Sequence, residues 1–353
     1  MIKASLLRRM ASRALVFSDQ KGEGQRATLE RRENVLRLSA SDGNSAVRIW
    51  QPDAGDNFET VINIYAFGEL IDCFDADDQV FIELSPERQT QLLLSNATGD
   101  IFTMPVYPTL EAYHIPNPPD WSPVSAHLNS VIQRLVNWPI KGGKTPSGQA
   151  PVAMFDEGIT GIVSGHLSFF ETIEEIFTAQ ITLAYLGKAP DAITRYALSS
   201  GHIFFHGASE WCMLPLDSRK LIAYKQLFDL LQKGNTCGIR INVSQLLTMT
   251  NKIRSIRRAE GFLSPEDNQA VPVVFTTDSI TANMSLGSVT MKVTSDVEFT
   301  PIDCRPSELF FMALGHKSFL NDSEEIEIKI GPQMSFVVAQ VGTGKVLGGL
   351  YRK

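Results

Sequence analysis

A weak internal repeat restricts the possible folds of this 353-residue chain more than any other property of its sequence. Residues 36–42 and 273–278 both alternate apolar and polar side chains and end at an aspartate in a polar turn, as half-buried strands do. Asp42 and Asp278 lie 236 positions apart, twice 118, and one third of the chain is also about 118 residues. A middle copy is therefore predicted near position 160, where residues 161–166 read Gly-Ile-Val-Ser-Gly-His.

Each third of the sequence has the same predicted order: an amphipathic helix, alternating strands, a second helix and three closing strands. The first helices are predicted at 4–16, 125–138 and 243–257, and the second helices at 65–74, 179–186 and 307–314. The closing strands are predicted at 80–84, 90–94, 101–105, 193–198, 202–206, 211–215, 326–330, 334–341 and 346–351. Proline-rich residues 108–123 and residues 217–235 are predicted linkers.

Composition indicates a folded protein and excludes several classes. With 43% hydrophobic and 20% charged residues, the chain is unlike a disordered segment, and four cysteines are too few for a disulfide scaffold. No apolar run approaches the roughly 20 residues of a membrane span, and no signal-peptide core follows Met1. We therefore expect a cytoplasmic protein without a membrane partner. Its separated cysteines are expected to be reduced core thiols and not zinc ligands.

Three short strings fit one known family. Residues 38–42 read Leu-Ser-Ala-Ser-Asp, Tyr107-Pro108 opens the first linker, and Gly165-His166 follows the middle copy of the repeated strand. Together with the threefold order of elements over the whole chain, these strings resemble the bacterial sliding clamp, the beta subunit of DNA polymerase III. The chain departs from the usual family pattern at Ser164, at Leu167-Ser168 and in residues 348–353. The resemblance is therefore to a divergent clamp.

The resemblance implies an α+β fold of three repeated clamp domains, at residues 1–112, 113–217 and 218–353. Each domain would place two helices against antiparallel sheets, and two chains would meet head to tail as a homodimer that closes a ring around DNA. Such a clamp is not an enzyme and needs no cofactor or metal. Its expected partners are duplex DNA, held without sequence readout, and the DNA polymerase, clamp loader and other proteins that carry clamp-binding peptides.

Basic side chains recur on the first helix of each repeat and in the loop after the middle one. A net charge of −7 disfavours indiscriminate coating of nucleic acid but allows such a local basic surface. The resemblance implies that these helices line the DNA channel. The candidate DNA contacts are Arg9, Arg13, Arg134, Lys141, Lys144, Lys252, Arg254, Arg257 and Arg258.

The family's partner site is an apolar pocket between the second and third domains, and it receives short peptides that contain Gln with Leu or Phe. Local alignment to the family gives the pocket residues Val163, Gly165, His166, Leu230, Val346, Gly348 and Leu350. The family's dimer edges correspond here to Ile101 and Met104 of one chain and to Ile256, Phe262 and Leu263 of the other.

Two other functions stay open from the sequence. One is a clamp-like interaction protein that binds replication partners without encircling DNA, and the other is a hydrolase or transferase on an unrelated α+β fold. Enzyme signals are weak, because residues 142–145 and 342–345 lack the first glycine of a phosphate-binding loop. His202 and His206 share a predicted strand without a nearby third metal ligand. No Ser-His-Asp or paired-carboxylate set stands out.

Overall fold

The structure is a computed structural model in which most of the chain is described. The described residues are 1–18, 25–85, 90–108, 115–137, 151–164, 167–199, 201–218, 224–233, 237–262, 271–295, 298–306, 310, 325–330, 336–340 and 344–352.

The first third follows the predicted order of elements. Its elements are β1 (Ile2–Lys3), α1 (Ala4–Leu15), β2 (Arg26–Arg32), β3 (Val35–Ser41), β4 (Ala46–Pro52), β5 (Phe58–Asn63), α2 (Ile64–Ile71), β6 (Gln79–Leu84), β7 (Gln91–Ser95) and β8 (Ile101–Pro105). Helix α1 buries Leu7, Met10 and Ala14, whose helical spacing places them on one face. Asn63 caps the N-terminus of helix α2, where its side-chain oxygen accepts a hydrogen bond from the Ala66 amide.

The middle third matches the prediction except at its second helix. Its elements are β9 (Ser122–Pro123), α3 (Ala126–Val136), β10 (Val152–Asp156), β11 (Ile159–Ser164), β12 (Leu167–Thr172), β13 (Ala179–Thr182), α4 (Leu183–Leu186), β14 (Arg195–Ser199), β15 (His202–His206) and β16 (Glu210–Pro215). The prediction of a helix at 179–186 was wrong for residues 179–182. Residues 179–182 instead pair with β10, which satisfies their backbone groups in a sheet and leaves only one helical turn in α4.

The last third contains one helix that the sequence interpretation placed in a linker. Its elements are α5 (Tyr224–Lys233), β17 (Cys237–Asn242), α6 (Val243–Ala259), β18 (Val273–Phe275), β19 (Ser279–Met284), β20 (Gly287–Lys292), β21 (Thr294–Ser295), β22 (Ile302–Pro306), β23 (Glu325–Ile330), β24 (Phe336–Gln340) and β25 (Lys345–Arg352). The linker predicted at 217–235 thus includes α5. The second helix predicted at 307–314 lies outside the described residues except for Phe310.

Two antiparallel sheets occupy the first compact unit, which comprises Met1–Val124 and Gly187–Leu216. Eight strands pair in the order β5-β2-β3-β4-β16-β15-β14-β9, and four strands pair in the order β1-β6-β7-β8. Helix α1 contacts α2, β3 and β4. The core of this unit therefore lies between the helices and one face of each sheet, with Leu7, Leu29 and Leu38 fully buried.

The second compact unit comprises Ser125–Leu186 and Asp217–Lys353 and is built on one branched sheet. Strand β25 is its centre, because it pairs with β12, β24 and β22 along different parts of its length. Helix α6 contacts β17, β19 and β20.

The two units cross the boundaries of the predicted domains. Strand β4 of predicted domain 1 pairs with β16 of predicted domain 2, and β12 of predicted domain 2 pairs with β25 of predicted domain 3. Backbone pairing therefore joins neighbouring thirds into shared sheets. The boundaries at 112 and 217 stay a prediction. Among the described helices, none has the length and apolar character to cross a membrane.

Cysteine placement corrects one expectation. Cys212 and Cys304 are buried as expected, and burial raises the pKa of each thiol to about 12. Cys73, in contrast, is exposed. Within the described part of the chain, no group of His, Cys, Asp and Glu could hold a metal ion.

Candidate functional site

The candidate partner site is built around helix α5 and the sheet beneath it. Phe228 and Leu231 of α5 are buried in an apolar cluster, and Leu227 packs against that cluster while staying partly exposed. The cluster continues into the sheet through Phe170 and Val346, and the Phe170 and Phe228 rings are 6.0 Å apart. Helix α5 thus lies against the sheet formed by β10, β11, β12, β24 and β25.

Gly348 allows α5 to approach the sheet closely. A Cβ atom at this position would be 3.0 Å from Cδ2 and 3.2 Å from Cδ1 of Leu231. Gly348 lies opposite Ser168 in the β12–β25 pair, and Val346 lies opposite Phe170. A side chain at 348 would force the methyl groups of Leu231 to shift by a few tenths of an ångström, so the glycine permits this close packing of α5 on the sheet.

The structure brings part of the predicted partner pocket together. Val346 and Gly348 lie under α5, and Leu230 belongs to that helix. Val163 in β11 and Leu350 in β25 have described backbones only, and Gly165 and His166 lie outside the described residues. The sequence interpretation missed Phe170, Phe228 and Leu231. Apolar residues at 227, 228 and 231, the spacing of one helix face, were the signal in the segment assigned to a linker.

Four of the candidate DNA contacts are exposed on the first helices of the repeats. Arg9 projects from α1, and Lys252, Arg254 and Arg258 project from α6. No ion pair holds any of the four within the described part of the chain. Arg254 and Arg258 are four positions apart, so their guanidinium groups share one helix face. These four side chains are available to a polyanion.

Three other candidates are engaged inside the chain. Arg13 donates to Glu210 at 2.8 Å and to the Lys188 carbonyl oxygen at 2.6 Å, and its guanidinium lies 5.0 Å from the centre of the Phe17 ring. Arg257 was expected to face outwards. It is buried instead, where it pairs with Glu260 at 3.1 Å.

Arg134 is also buried, in a bidentate pair with a carboxylate. Its guanidinium donates to both carboxylate oxygens of Glu171, at 2.6 and 2.7 Å, and to the Ser130 hydroxyl at 2.8 Å. Glu171 is 1% exposed, and the Lys345 ammonium lies 3.9 Å from its carboxylate. This bidentate pair neutralises both groups inside the fold. Lys141 and Lys144, the remaining candidates, lie outside the described residues.

Of the expected dimer contacts, some are exposed and others are buried within the chain. Strand β8 ends the four-stranded sheet, and Ile101 on it is 64% exposed. Met104 is only 3% exposed because its side chain alternates to the core face of β8, and its contact with a second chain stays a prediction. Ile256 is partly buried, and Phe262 lies against the Arg257 guanidinium at 3.8 Å. Leu263 is outside the described residues.

Comparison with known proteins relates this arrangement to solved structures. No protein-family model and no curated protein sequence matches the chain. The DNA polymerase III subunit beta from Pseudomonas aeruginosa matches with a TM-score of 0.79 at 12% identity, over 100% of this chain and 99% of that one. The chain has the fold of a bacterial DNA sliding clamp. The predicted α+β clamp fold is thereby confirmed.

Two further solved structures contain bound molecules. The Helicobacter pylori beta clamp bound to a DNA ligase peptide matches with a TM-score of 0.79 at 12% identity, over 100% of this chain and 99% of that one. The sliding clamp from Bartonella birtlesii bound to griselimycin matches with a TM-score of 0.77 at 10% identity, over 100% and 98%. Sliding clamps of this fold thus include a peptide-bound and a griselimycin-bound member.

The buried pair of Arg134 and Glu171 leads to a stability prediction. Replacing Arg134 with Ala should lower the free energy of unfolding by about 3 kcal/mol, because Glu171 would keep a buried charge with only the His127 imidazole at 3.5 Å and the Lys345 ammonium at 3.9 Å beside it. Chemical denaturation measures this loss. Arg254→Ala, on an exposed helix face, is the matched control and should change stability by less than about 0.5 kcal/mol. Equal stability of the two variants would contradict the assignment of Arg134 to the fold.

Proposed function

We propose that this chain is a DNA sliding clamp that encircles duplex DNA as a homodimer and tethers a polymerase and other clamp-binding proteins to it. The observation that carries the proposal is the full-length similarity to sliding-clamp structures, which covers 100% of this chain and 99% of the first of them. In this proposal the protein does no bond chemistry. It raises processivity because a closed ring leaves DNA only at an end.

The exposed cations support a sliding contact with duplex DNA. Arg9, Lys252, Arg254 and Arg258 place positive charge on first helices while the whole chain is acidic, at −7. A small number of phosphate contacts without base contacts attracts the duplex but does not hold it in one register. We therefore place the DNA contact on these four residues and assign Arg13, Arg134 and Arg257 to the fold.

The DNA contact can be tested by removing charge from α1 and α6. The triple variant Arg9→Ala, Arg254→Ala and Arg258→Ala should bind a fluorescent duplex more weakly, and its log K should fall less steeply with log salt, by about 0.9 for each phosphate that it no longer neutralises. Fluorescence anisotropy over a salt series measures both. A control triple, Lys225→Ala, Arg240→Ala and Arg305→Ala, removes the same charge from exposed positions elsewhere. Equal effects of the two triples would refute the helix assignment.

Encirclement separates the clamp from its alternative, a clamp-like interaction protein that does not surround DNA. A closed ring loaded on nicked circular DNA should stay bound during gel filtration and should be lost after the circle is cut to a linear form. A protein that binds only the DNA surface should be retained equally on both forms. The alternative function gains support if partner peptides bind while neither DNA form retains the protein.

Ring closure requires two copies of the chain, and the exposed end of a sheet is the expected contact. Ile101 lies on edge strand β8, and an exposed apolar residue on an unpaired edge favours association. Ile101→Asp should convert the dimer to monomers in multi-angle light scattering, because a carboxylate would be buried at the contact. Ile176→Asp is the control, since Ile176 is 79% exposed outside any strand. A native protein that is monomeric at micromolar concentration would disprove this assembly.

Peptide capture beside α5 is the third part of the proposed function. A Leu or Phe anchor buried there would contribute about 1.5 to 3 kcal/mol, so loss of an apolar wall should weaken binding measurably. Leu227→Asp should reduce the affinity for a Gln-Leu-x-Leu-Phe peptide about tenfold, or about 1.4 kcal/mol, in fluorescence polarisation. Gln226→Asp adds the same charge at an exposed position of α5 and should leave affinity unchanged. If the native protein does not bind such peptides, the partner site has a different specificity or lies elsewhere.

A further inference from the structure

One face of the eight-stranded sheet carries arginines and aromatic rings in a continuous row. Register places Arg48, Trp211, His206 and Arg195 directly opposite one another across β4, β16, β15 and β14. Side chains alternate between the two faces of a strand, so Arg48 lies on the face opposite to Ile49. Ile49 lines a cleft with Leu6 and Met10 of α1, so the row lies on the side of the sheet away from that helix.

Three rings on this face lie close together and are partly open to solvent. The His206 ring is 5.4 Å from Trp50 and 5.2 Å from Trp121, with interplanar angles of 49° and 80°. All three residues are partly exposed. We call the set of Arg37, Arg48, Trp50, Trp121, Arg195, His206 and Trp211 the aromatic face.

The charge on this side of the sheet is positive although the chain is acidic. The strand pairing and the alternation of side chains along each strand determine which residues share the side of Arg48. They place five arginines there (26, 32, 37, 48 and 195) and two glutamates (30 and 59). Glu30 pairs with Arg37 at 3.1 Å and with Arg32 at 3.5 Å. Arg195 is exposed and makes no ion pair in the described part of the chain. The strands of this face therefore present more cations than they neutralise.

The His206 ring, which lies between Trp50 and Trp121, is in its neutral form on this basic surface. Burial, with the nearby Arg195 guanidinium, lowers the pKa of His206, so its imidazole is neutral at pH 7. Arg48 lies over the Trp211 ring at 5.2 Å, which keeps its guanidinium on the face beside the rings. A neutral His206 ring flanked by arginines can stack against a partner that carries its own negative charge.

We propose that the aromatic face binds single-stranded nucleic acid, with phosphates at Arg48 and Arg195 and one or more bases against the Trp50, Trp121 and His206 rings. Aromatic platforms flanked by arginines bind single strands without sequence preference, because every base has a face that can stack. The inference does not depend on ring closure. If the protein is a clamp, it would contact the unpaired strand through a surface separate from the α6 cations.

Two simpler interpretations explain only part of the face. Ile115 and Trp121 of the first linker pack against this side of the sheet, so some of the rings serve to hold the linker. Linker packing requires no arginines, however. An acidic peptide would suit the charge but does not account for the partly exposed Trp50, Trp121 and His206 rings.

The test uses the full-length protein and fluorescein-labelled single strands in an anisotropy titration. The probes are a 20-nucleotide dT strand, an abasic strand of equal length and charge, and a poly-Glu peptide. Arg195→Ala and Trp50→Ala should each weaken dT binding by about fivefold to tenfold, and the abasic strand should bind the native protein more weakly than dT. Quenching of tryptophan fluorescence by dT, reduced in Trp50→Ala, is the second readout.

Matched variants separate this site from the duplex contact and from unfolding. Arg258→Ala removes an exposed cation from α6 and should leave dT affinity unchanged while weakening duplex binding. Trp50→Phe keeps a ring and should retain most of the dT affinity, so a loss in Trp50→Ala but not in Trp50→Phe reports the ring itself. Arg195 is exposed, so its variant is expected to fold normally.

Three results would overturn the inference. The first is absence of dT binding by the native protein at low salt. The second is dT affinity that stays the same in Arg195→Ala and Trp50→Ala, or an abasic strand that binds the native protein as tightly as dT does. Either result would show that the rings do not contact the strand. The third is poly-Glu binding that depends on Arg195 while dT does not bind, which would assign the face to an acidic protein partner.

Discussion

Backbone pairing between distant parts of the chain is the interaction on which the rest of this structure depends. Strand β16 pairs with β4, which precedes it by about 160 residues, and β12 pairs with β25 over a similar separation. Each pair satisfies main-chain donors and acceptors that would otherwise face solvent at a sheet edge. Because these pairs join neighbouring thirds of the chain, each compact unit of the fold contains parts of two repeats. The edges that stay open, such as β8, are then the places where another chain can add.

Burial decides which of the charged residues can act on a partner. Arg134 and Arg257 lie on first helices, as the DNA candidates should, yet each is buried beside a carboxylate. A buried charge without its partner is costly, so these pairs belong to the stability of the fold. Arg254 and Arg258 differ from Arg257 only in their position around the same helix. The proposed DNA contact therefore follows from helical phase and not from the count of basic residues.

The three proposed contacts have different physical origins and can fail independently. Peptide capture depends on the apolar packing of α5, where Gly348 lets Leu231 approach the sheet. Dimer formation depends on an unpaired strand edge, and duplex binding depends on exposed cations. The aromatic face adds a fourth surface, on which rings and arginines from five strands and a linker meet. A chain with 10% to 14% identity to its structural relatives can keep the fold while these surfaces change separately.

The sequence alone determined the repeated order of elements and the positions of most of them. Alternation predicted β8 and β15 to the residue, and apolar spacing predicted α1 and α6 to within two residues at each end. These elements are encoded locally, by a period of two or about 3.6 residues. Tertiary structure decided what local patterns do not contain. Residues 179–182 became a strand because β10 offers backbone partners, α5 folded within a predicted linker because an apolar sheet lies beneath it, and Met104 and Arg134 faced the core. Strand partners and helical phase depend on residues far away in sequence, so only the folded chain separates the residues that hold the fold from those that can meet a partner.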